Sequence, residues 1–205
     1  MLLAPPHGSG AFALLEIQDT ATGMWVADYV LKRAPVQLLI CRTTEPGKFI
    51  LAFTGDVASV EESYHHGQEV AGDSLIDSVL LQGAHHEFWS SLGAEVDHEP
   101  DEEVNQESLL TIECFTIAST LRSLDAGLKQ APSKVVHLQL GDDYGGKGYF
   151  ILSGVLEDIE AISQHCAEVA GERLVSEQII PAPDPDLPRA PGVAVTLHLP
   201  GSTKK

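Results

Sequence analysis

Basic residues are scarce in this chain. Twelve Lys and Arg stand against 30 Asp and Glu, a formal net charge of −18 over 205 residues. Such a chain repels phosphate backbones, and its few cations never cluster, so nucleic acid is excluded as a partner. Cysteine is equally sparse. Cys41, Cys114 and Cys166 are odd in number, far apart and in no C-x-x-C pair, which excludes a disulfide framework and a structural zinc site. They are expected to be reduced, half-buried packing residues. Long hydrophobic runs are missing too: Leu38 to Cys41 and Ile50 to Phe53 are strand-sized, far below the roughly 20 residues of a bilayer-spanning helix. The start has no basic residue before Lys32 and breaks at Pro5 and Pro6, a poor signal peptide, so a cytoplasmic protein with no membrane partner is expected. There is no G-x-S-x-G, no P-loop and no His paired with a plausible Cys nucleophile, and an enzyme is not expected.

What the chain does have is a second copy of itself. Asp28 to Pro35 and Asp125 to Pro132 both read D-x-x-L-K-x-A-P at an offset of 125 − 28 = 97, which also carries Glu16 onto Glu113. Further on, Gly47-Lys48 meets Gly146-Lys147, Gly55 meets Gly154 and Glu69-Val70-Ala71-Gly72 meets Glu168-Val169-Ala170-Gly171, all at an offset of 146 − 47 = 99. Two residues are therefore inserted between Pro132 and Gly146. A period near one domain's length means duplicated domains. The organisation read from this is a first domain over 10–93, an acidic linker over 94–106, a second domain over 107–187 and a proline-rich tail over 188–205. Glu95, Asp97, Glu99, Asp101, Glu102, Glu103 and Glu107 crowd the join, a self-repelling solvated stretch.

Each copy reads as β-α-β-β-α-β. In the first, a strand spans Ala11 to Ile17, and Thr20 or Thr22 caps a helix that buries Met24, Ala27, Leu31 and Ala34. Pro35 ends that helix. Val36 to Cys41 and Phe49 to Phe53 form a hairpin. Asp56 caps a second helix with Val57 and Val60 inward and Ala71-Gly72 as its stop. Leu75 to Leu81 is a fourth strand, and His86 to Leu92 a short closing helix. The second copy runs through a strand at Leu109 to Phe115, a helix from Ile117 to Gln130, strands at Val135 to Leu140 and Tyr149 to Leu152, a helix from Leu156 to Val169 and a strand near Leu174 to Ile180. This is an α+β class of the α/β type: a mostly antiparallel, ferredoxin-like sheet with helices packed on it, twice. The apolar run Val193 to Leu199 is either an added edge strand or part of the tail.

G-A-F-A-L-L-E-I at Gly10, D-x-x-L-K-x-A at Asp28, P-G-K-F at Pro46 and G-D-V-A-S-V-E at Gly55 resemble a bacterial microcompartment shell domain. With the weaker echoes behind them, the chain is similar to the tandem-domain, trimer-forming class, unpermuted and single-layered. The resemblance implies a structural protein: a homotrimer shaped as a pseudohexagonal disc, tiling with other shell proteins, hexamers and pentamers, into a shell. It also places the loop after the second strand of each domain around a central pore. In this chain those loops are Thr43 to Gly47 and Gly141 to Gly146, so Thr43, Thr44, Glu45, Pro46, Gly141, Asp142, Asp143, Tyr144 and Gly145 are expected to line it. Rings of Glu45, Asp142 and Asp143 would favour small polar or cationic solutes. As plain turn chemistry, Asp-Asp-Tyr-Gly-Gly needs no pore at all.

Lys32 and Lys129 match the lysines that face neighbouring tiles in the family, and each also has an aspartate four residues earlier on the same helix face. The arginine usual in the P-R-P-H segment near each domain's end is missing, with Gly83 and Ala182 in its places. A branch of the family carries a cysteine before P-G-K to hold an axial iron-sulfur cluster; Glu45 stands there here, so no cofactor and no metal are expected. His65-His66 and His85-His86 are adjacent pairs whose side chains diverge on a helix and chelate poorly. Two rival readings share the fold: a soluble trimeric regulatory protein that binds a small ligand, and an axial metal or electron carrier.

Overall fold

A computed structural model describes residues 10–93 and 107–188, with Pro191. The acidic run at 94–106 and the apolar run at Val193 to Leu199 lie outside the described residues. The first copy comprises β1 (Ala11–Ile17), α1 (Thr20–Arg33), β2 (Gln37–Thr44), β3 (Lys48–Gly55), α2 (Val57–Ala71) and β4 (Leu75–Gln82), with α3 (His86–Gly93) after it. The second comprises β5 (Ser108–Cys114), α4 (Ile117–Gln130), β6 (Lys134–Leu140), β7 (Gly148–Gly154), α5 (Leu156–Ala170) and β8 (Leu174–Ile180). The sheets are ordered β2-β3-β1-β4 and β6-β7-β5-β8, antiparallel throughout. Both copies thus keep the same unpermuted path.

β1 is apolar at nearly every position because both of its faces are covered, which removes the usual in-out alternation. Ala13, Leu15 and Ile17 pack with Val26 and Val30 of α1 and Val60 and Tyr64 of α2. Phe12 and Leu14 face the other way and join Phe88 and Leu92 of α3 in a cluster that continues into the second copy's core through Ile117, Leu121 and Leu128 of α4. Phe12 meets Phe88 and Trp89 edge to face, at 5.2 and 5.9 Å between ring centroids. The two domains therefore share one apolar interior, and α4 lies against β1 and β4 of the first sheet.

Several local expectations differ from the outcome, each for a physical reason. Asp19 caps α1, accepting from Thr22 N at 2.9 Å; a carboxylate one residue before the helix reaches the free amides better than either threonine inside it. The buried face of α1 is Gly23, Val26, Ala27 and Val30, while Met24 and Leu31 are exposed. Val57 is exposed although Val60 is buried. Cys114 and Cys166 are fully buried and Cys41 is exposed, so none is half-buried. Burial pushes the Cys166 thiol up to about 12, where it is inert. Asp56 caps α2 as expected, through Ser59 N at 3.0 Å. Strands β2 and β3 each run further than the sequence pattern predicts, so Thr43 and Thr44 belong to β2 and not to the loop.

The helix pair that covers each sheet touches at one close point, where a side chain must be missing from one partner. In the first copy the gap is Gly67 on α2, where an added Cβ would sit 2.9 Å from Val30 Cγ2 on α1. In the second the gap is Gly127 on α4, 2.7 Å from Cys166 Sγ on α5. Val30 corresponds to Gly127 and Gly67 to Cys166. The duplicated contact keeps its volume while exchanging which helix supplies it.

Candidate functional site

The chain brings its two hairpin tips together. β2 and β3 are joined through Glu45, Pro46 and Gly47, and β6 and β7 through Gly141 to Lys147. Arg42 Nη1 donates to Asp142 Oδ1 at 2.7 Å and Thr44 Oγ1 to the same oxygen at 3.0 Å. Gly145 N donates to Glu45 Oε2 at 3.0 Å, and Lys48 Nζ to Gly146 O at 3.2 Å. The loops interlock closely enough that a Cβ on Gly146 would lie 2.1 Å from Glu45 O, and Gly146 has φ +74°. Only glycine satisfies both constraints.

The longer second loop is held internally as well. Gly146 N donates to Gly141 O at 3.1 Å, and Gln139 Nε2 to Asp142 O at 2.8 Å. Asp143 takes a positive φ of 54° at its apex, a conformation that Asp tolerates. Tyr144 turns back toward the sheet, 5.0 Å from the Tyr149 ring, with Lys147 Nζ 4.7 Å over its own ring. Burial, with Glu113 beside it, raises the Tyr144 hydroxyl to about 12. Hydrogen bonding from Arg42 and Thr44 outweighs partial burial and holds the Asp142 carboxyl below the usual carboxylate range.

Behind the tips lies a polar seam in which a carboxylate on the first sheet serves a helix on the second domain. Glu16 is fully buried: Oε1 meets Lys48 Nζ at 2.7 Å, while Oε2 accepts from Ile117 N at 2.9 Å and Ala118 N at 3.3 Å. It thus sits at the positive end of α4, whose first amides lack partners of their own. Asp77 accepts from Thr116 Oγ1 and from Arg122 at 3.1 Å, and Arg122 also donates to Ser78 O at 2.6 Å. Lower down, Arg173 reaches Ile76 O at 3.2 Å. Burial pushes Glu16 up and the Lys48 and α4 donors oppose it.

Of the residues singled out in the sequence, Glu45, Asp142, Gly145 and Thr44 meet in one place, and Tyr144 packs away from the apex. Lys32 pairs with Asp28 at 2.6 Å on the exposed surface of α1, whereas Lys129 pairs at 2.5 Å with Asp125, which is buried and also accepts from His85 N at 2.8 Å. His66 meets Glu69 at 3.6 Å, and the His85 and His86 rings lie 4.2 Å apart between centroids, tilted by 39°. Among the described residues no group of three or more His, Cys, Asp or Glu converges as a metal site. Sequence reasoning missed Arg42, Asp77, Thr116 and Arg122. It registered Glu16 only as a repeat anchor, although a lone acid in an apolar strand, echoed at Glu113 and matched by Lys48 and Lys147, was the available signal.

Comparison with known proteins accounts for both copies. The BMC domain family matches residues 11–83 and 108–183. The chain is 31% identical over 179 residues to the bacterial microcompartment shell protein PduT of Citrobacter freundii, covering 85% of this chain and 94% of that protein. A solved microcompartment protein from Desulfitobacterium hafniense DCB superposes with a TM-score of 0.72 at 30% identity, covering 86% of this chain and 97% of that one. The fused permuted hexameric shell protein MSM0275 of the RMM microcompartment shares the fold at 21% identity and a TM-score of 0.59, covering 80% and 83% of the two chains.

Proposed function

Because the chain belongs to the BMC-domain family and is a bacterial microcompartment shell protein with two tandem domains, we propose that three copies close into a pseudohexagonal tile with the paired hairpins around its axis. The observation that carries this is the joining of the two tips within one chain, through Arg42, Asp142, Glu45 and Gly145. A chain that gathers both loops at one end presents one third of a ring. The internal domain junction also supplies a template for closure, since nearly equivalent modules offer nearly equivalent surfaces.

The pore in this reading is acidic, but not at every acid. Arg42 offsets Asp142 within the chain, so the attraction for cations and small polar solutes rests on the rings of Glu45 and Asp143. Thr43, Pro46 and Gly141 fill out the wall. Glu45 Oε2 already accepts a backbone amide, which fixes the carboxylate's direction. Lys32 and Lys129 lie on the rim, where antiparallel pairing with neighbouring hexamers and pentamers would knit the tile into a shell in the cytoplasm. No catalytic step belongs to this role.

Light scattering after size exclusion is expected to give a trimer at micromolar concentration, and a monomer there overturns the ring. Electron microscopy after co-expression with single-domain shell proteins is expected to show sheets or closed particles that contain this chain. Metal analysis of anaerobically purified protein is expected to find less than one iron-sulfur cluster per trimer; a full cluster would show that Glu45 does not exclude one.

A further inference from the structure

A capping turn occurs at the same place after the last strand of both copies, once with a group that titrates near neutral pH and once without. His85 is the N-cap of α3: its carbonyl accepts from Trp89 N at 3.4 Å, and its ring Nδ1 accepts from Glu87 N at 3.3 Å. At the offset of 184 − 85 = 99 the counterpart is Asp184. There Oδ1 accepts from Asp186 N at 2.9 Å, the same contact two residues on, and the Asp184 carbonyl accepts from Leu187 N at 2.9 Å. Aspartate is among the preferred caps and histidine is not. An aspartate keeps its acceptor throughout the neutral range, whereas Nδ1 of a histidine accepts only while it carries no proton.

What the cap holds is the joint between the domains. Phe88 and Leu92 of α3 are buried in the shared interior with Phe12, and α3 packs on α4 and β6 of the second domain. The His85 N–H donates to Asp125 Oδ1 at 2.8 Å, and Asp125 Oδ2 meets Lys129 Nζ at 2.5 Å. His85 therefore enters α3 between a buried carboxylate on α4 and the His86 ring, whose centroid lies 4.2 Å from its own. Charged groups bear on it from both helices, His86 and Glu87 on α3 and Asp125 and Lys129 on α4. Burial lowers the imidazole below its ordinary value; His86 and Lys129 add to that effect, while Glu87 and Asp125 oppose it.

We propose that His85 is a proton-operated latch on α3: the neutral ring caps the helix and holds it across the domain joint, and the protonated ring releases it. Once Nδ1 carries a proton, two donors face each other where a hydrogen bond stood, and a positive charge lies at the positive end of the helix dipole. Because folding disfavours the charged ring, the latch is fully closed above the ordinary imidazole value, near 6.5, and is lost as pH falls below it through the folded value. Release parts Phe88 and Trp89 from Phe12 and leaves the Asp125 carboxylate to Lys129 alone. The latch is independent of the ring of three chains, since every group in it belongs to one chain.

Hydrogen exchange of the full-length protein, followed from neutral to mildly acid pH, tests this. Protection factors of the α3 amides, Trp89 to Leu92, are expected to fall by up to about tenfold per pH unit below about 6.5. His85→Asn keeps a capping oxygen that does not titrate, and its protection is expected to stay level over the same range. His85→Asp copies the cap of the second copy and is expected to behave in the same way. His86→Gln leaves the cap in place, and the fall is expected to persist. Level protection in the wild type, a fall in the Asn variant equal to the wild type's, or loss of the fall in His86→Gln each overturns the latch. So does an α3 left unprotected at neutral pH in both His85 variants, because the ring would then serve packing and not capping.

Discussion

Helices α1 and α4 descend from one sequence and have the same length, yet α4 is buried on two sides and α1 on one. The difference lies in what each meets. α4 is packed beneath its own sheet and also against the neighbouring domain's β1 and β4, so Leu121 and Leu128 count as core. Among the described residues α1 packs on its own sheet and α2. Duplication therefore created one helix whose second face is satisfied by the other domain and one whose second face is exposed among the described residues. Burial in a single chain is in this sense a record of connectivity as much as of hydrophobicity.

The comparison breaks most severely at Leu121. Leu121→Asp is expected to cost about 4 kcal/mol, since it removes a buried leucine and strands a charge. The pseudo-equivalent Met24→Asp should leave urea unfolding of the isolated chain within about 0.5 kcal/mol. Next comes Glu16→Gln, which leaves Lys48 without its buried partner and weakens the anchor of α4. Denaturant unfolding should show a loss of about 3 kcal/mol, against less than about 1 kcal/mol for Glu113→Gln in the single chain.

A third test exploits the exchanged volume between the helix pairs. Gly127→Val should cost about 2 kcal/mol through overlap with Cys166 and Ile162. Combining it with Cys166→Gly restores the arrangement of the first copy, and a double-mutant cycle should recover at least half of the loss. The smallest effect is expected at the hairpin tips. The lowered Asp142 carboxyl makes a contribution that is present above the ordinary carboxylate range, near pH 4, and is lost as pH falls through its folded value. The stability difference between wild type and Asp142→Asn should therefore shrink on acidification. Because both partners are about half exposed, the difference at neutral pH should stay below about 1 kcal/mol.

The fold was legible because its signals are local and were written twice. Asp56 before α2, Pro35 after α1 and the turn residues around Gly47 locate elements without reference to anything distant. Which side of α1 faces inward was not legible: Met24 and Leu31 repeat at helical spacing as convincingly as Val26 and Val30 do, and a periodic pattern does not say which stripe meets its own sheet. At the candidate site, the acids of the tips could be read from the sequence, but their pairing could not. Arg42 and Asp142 are 100 residues apart, and nothing in either local stretch ties them together.

The sequence by itself determined that there are two modules, the path each follows, where their loops fall and that the second loop is the longer. Those properties follow from propensity, capping and repetition, which act over a few residues. Tertiary structure alone decided that Glu16 would cap a helix of the other domain, that Asp142 would be paired with Arg42, and that, among the described residues, only one of two sister helices would be covered on its second face. Each depends on how one domain is laid against the next, and that geometry is fixed by shape and charge complementarity between surfaces a hundred residues apart in the chain.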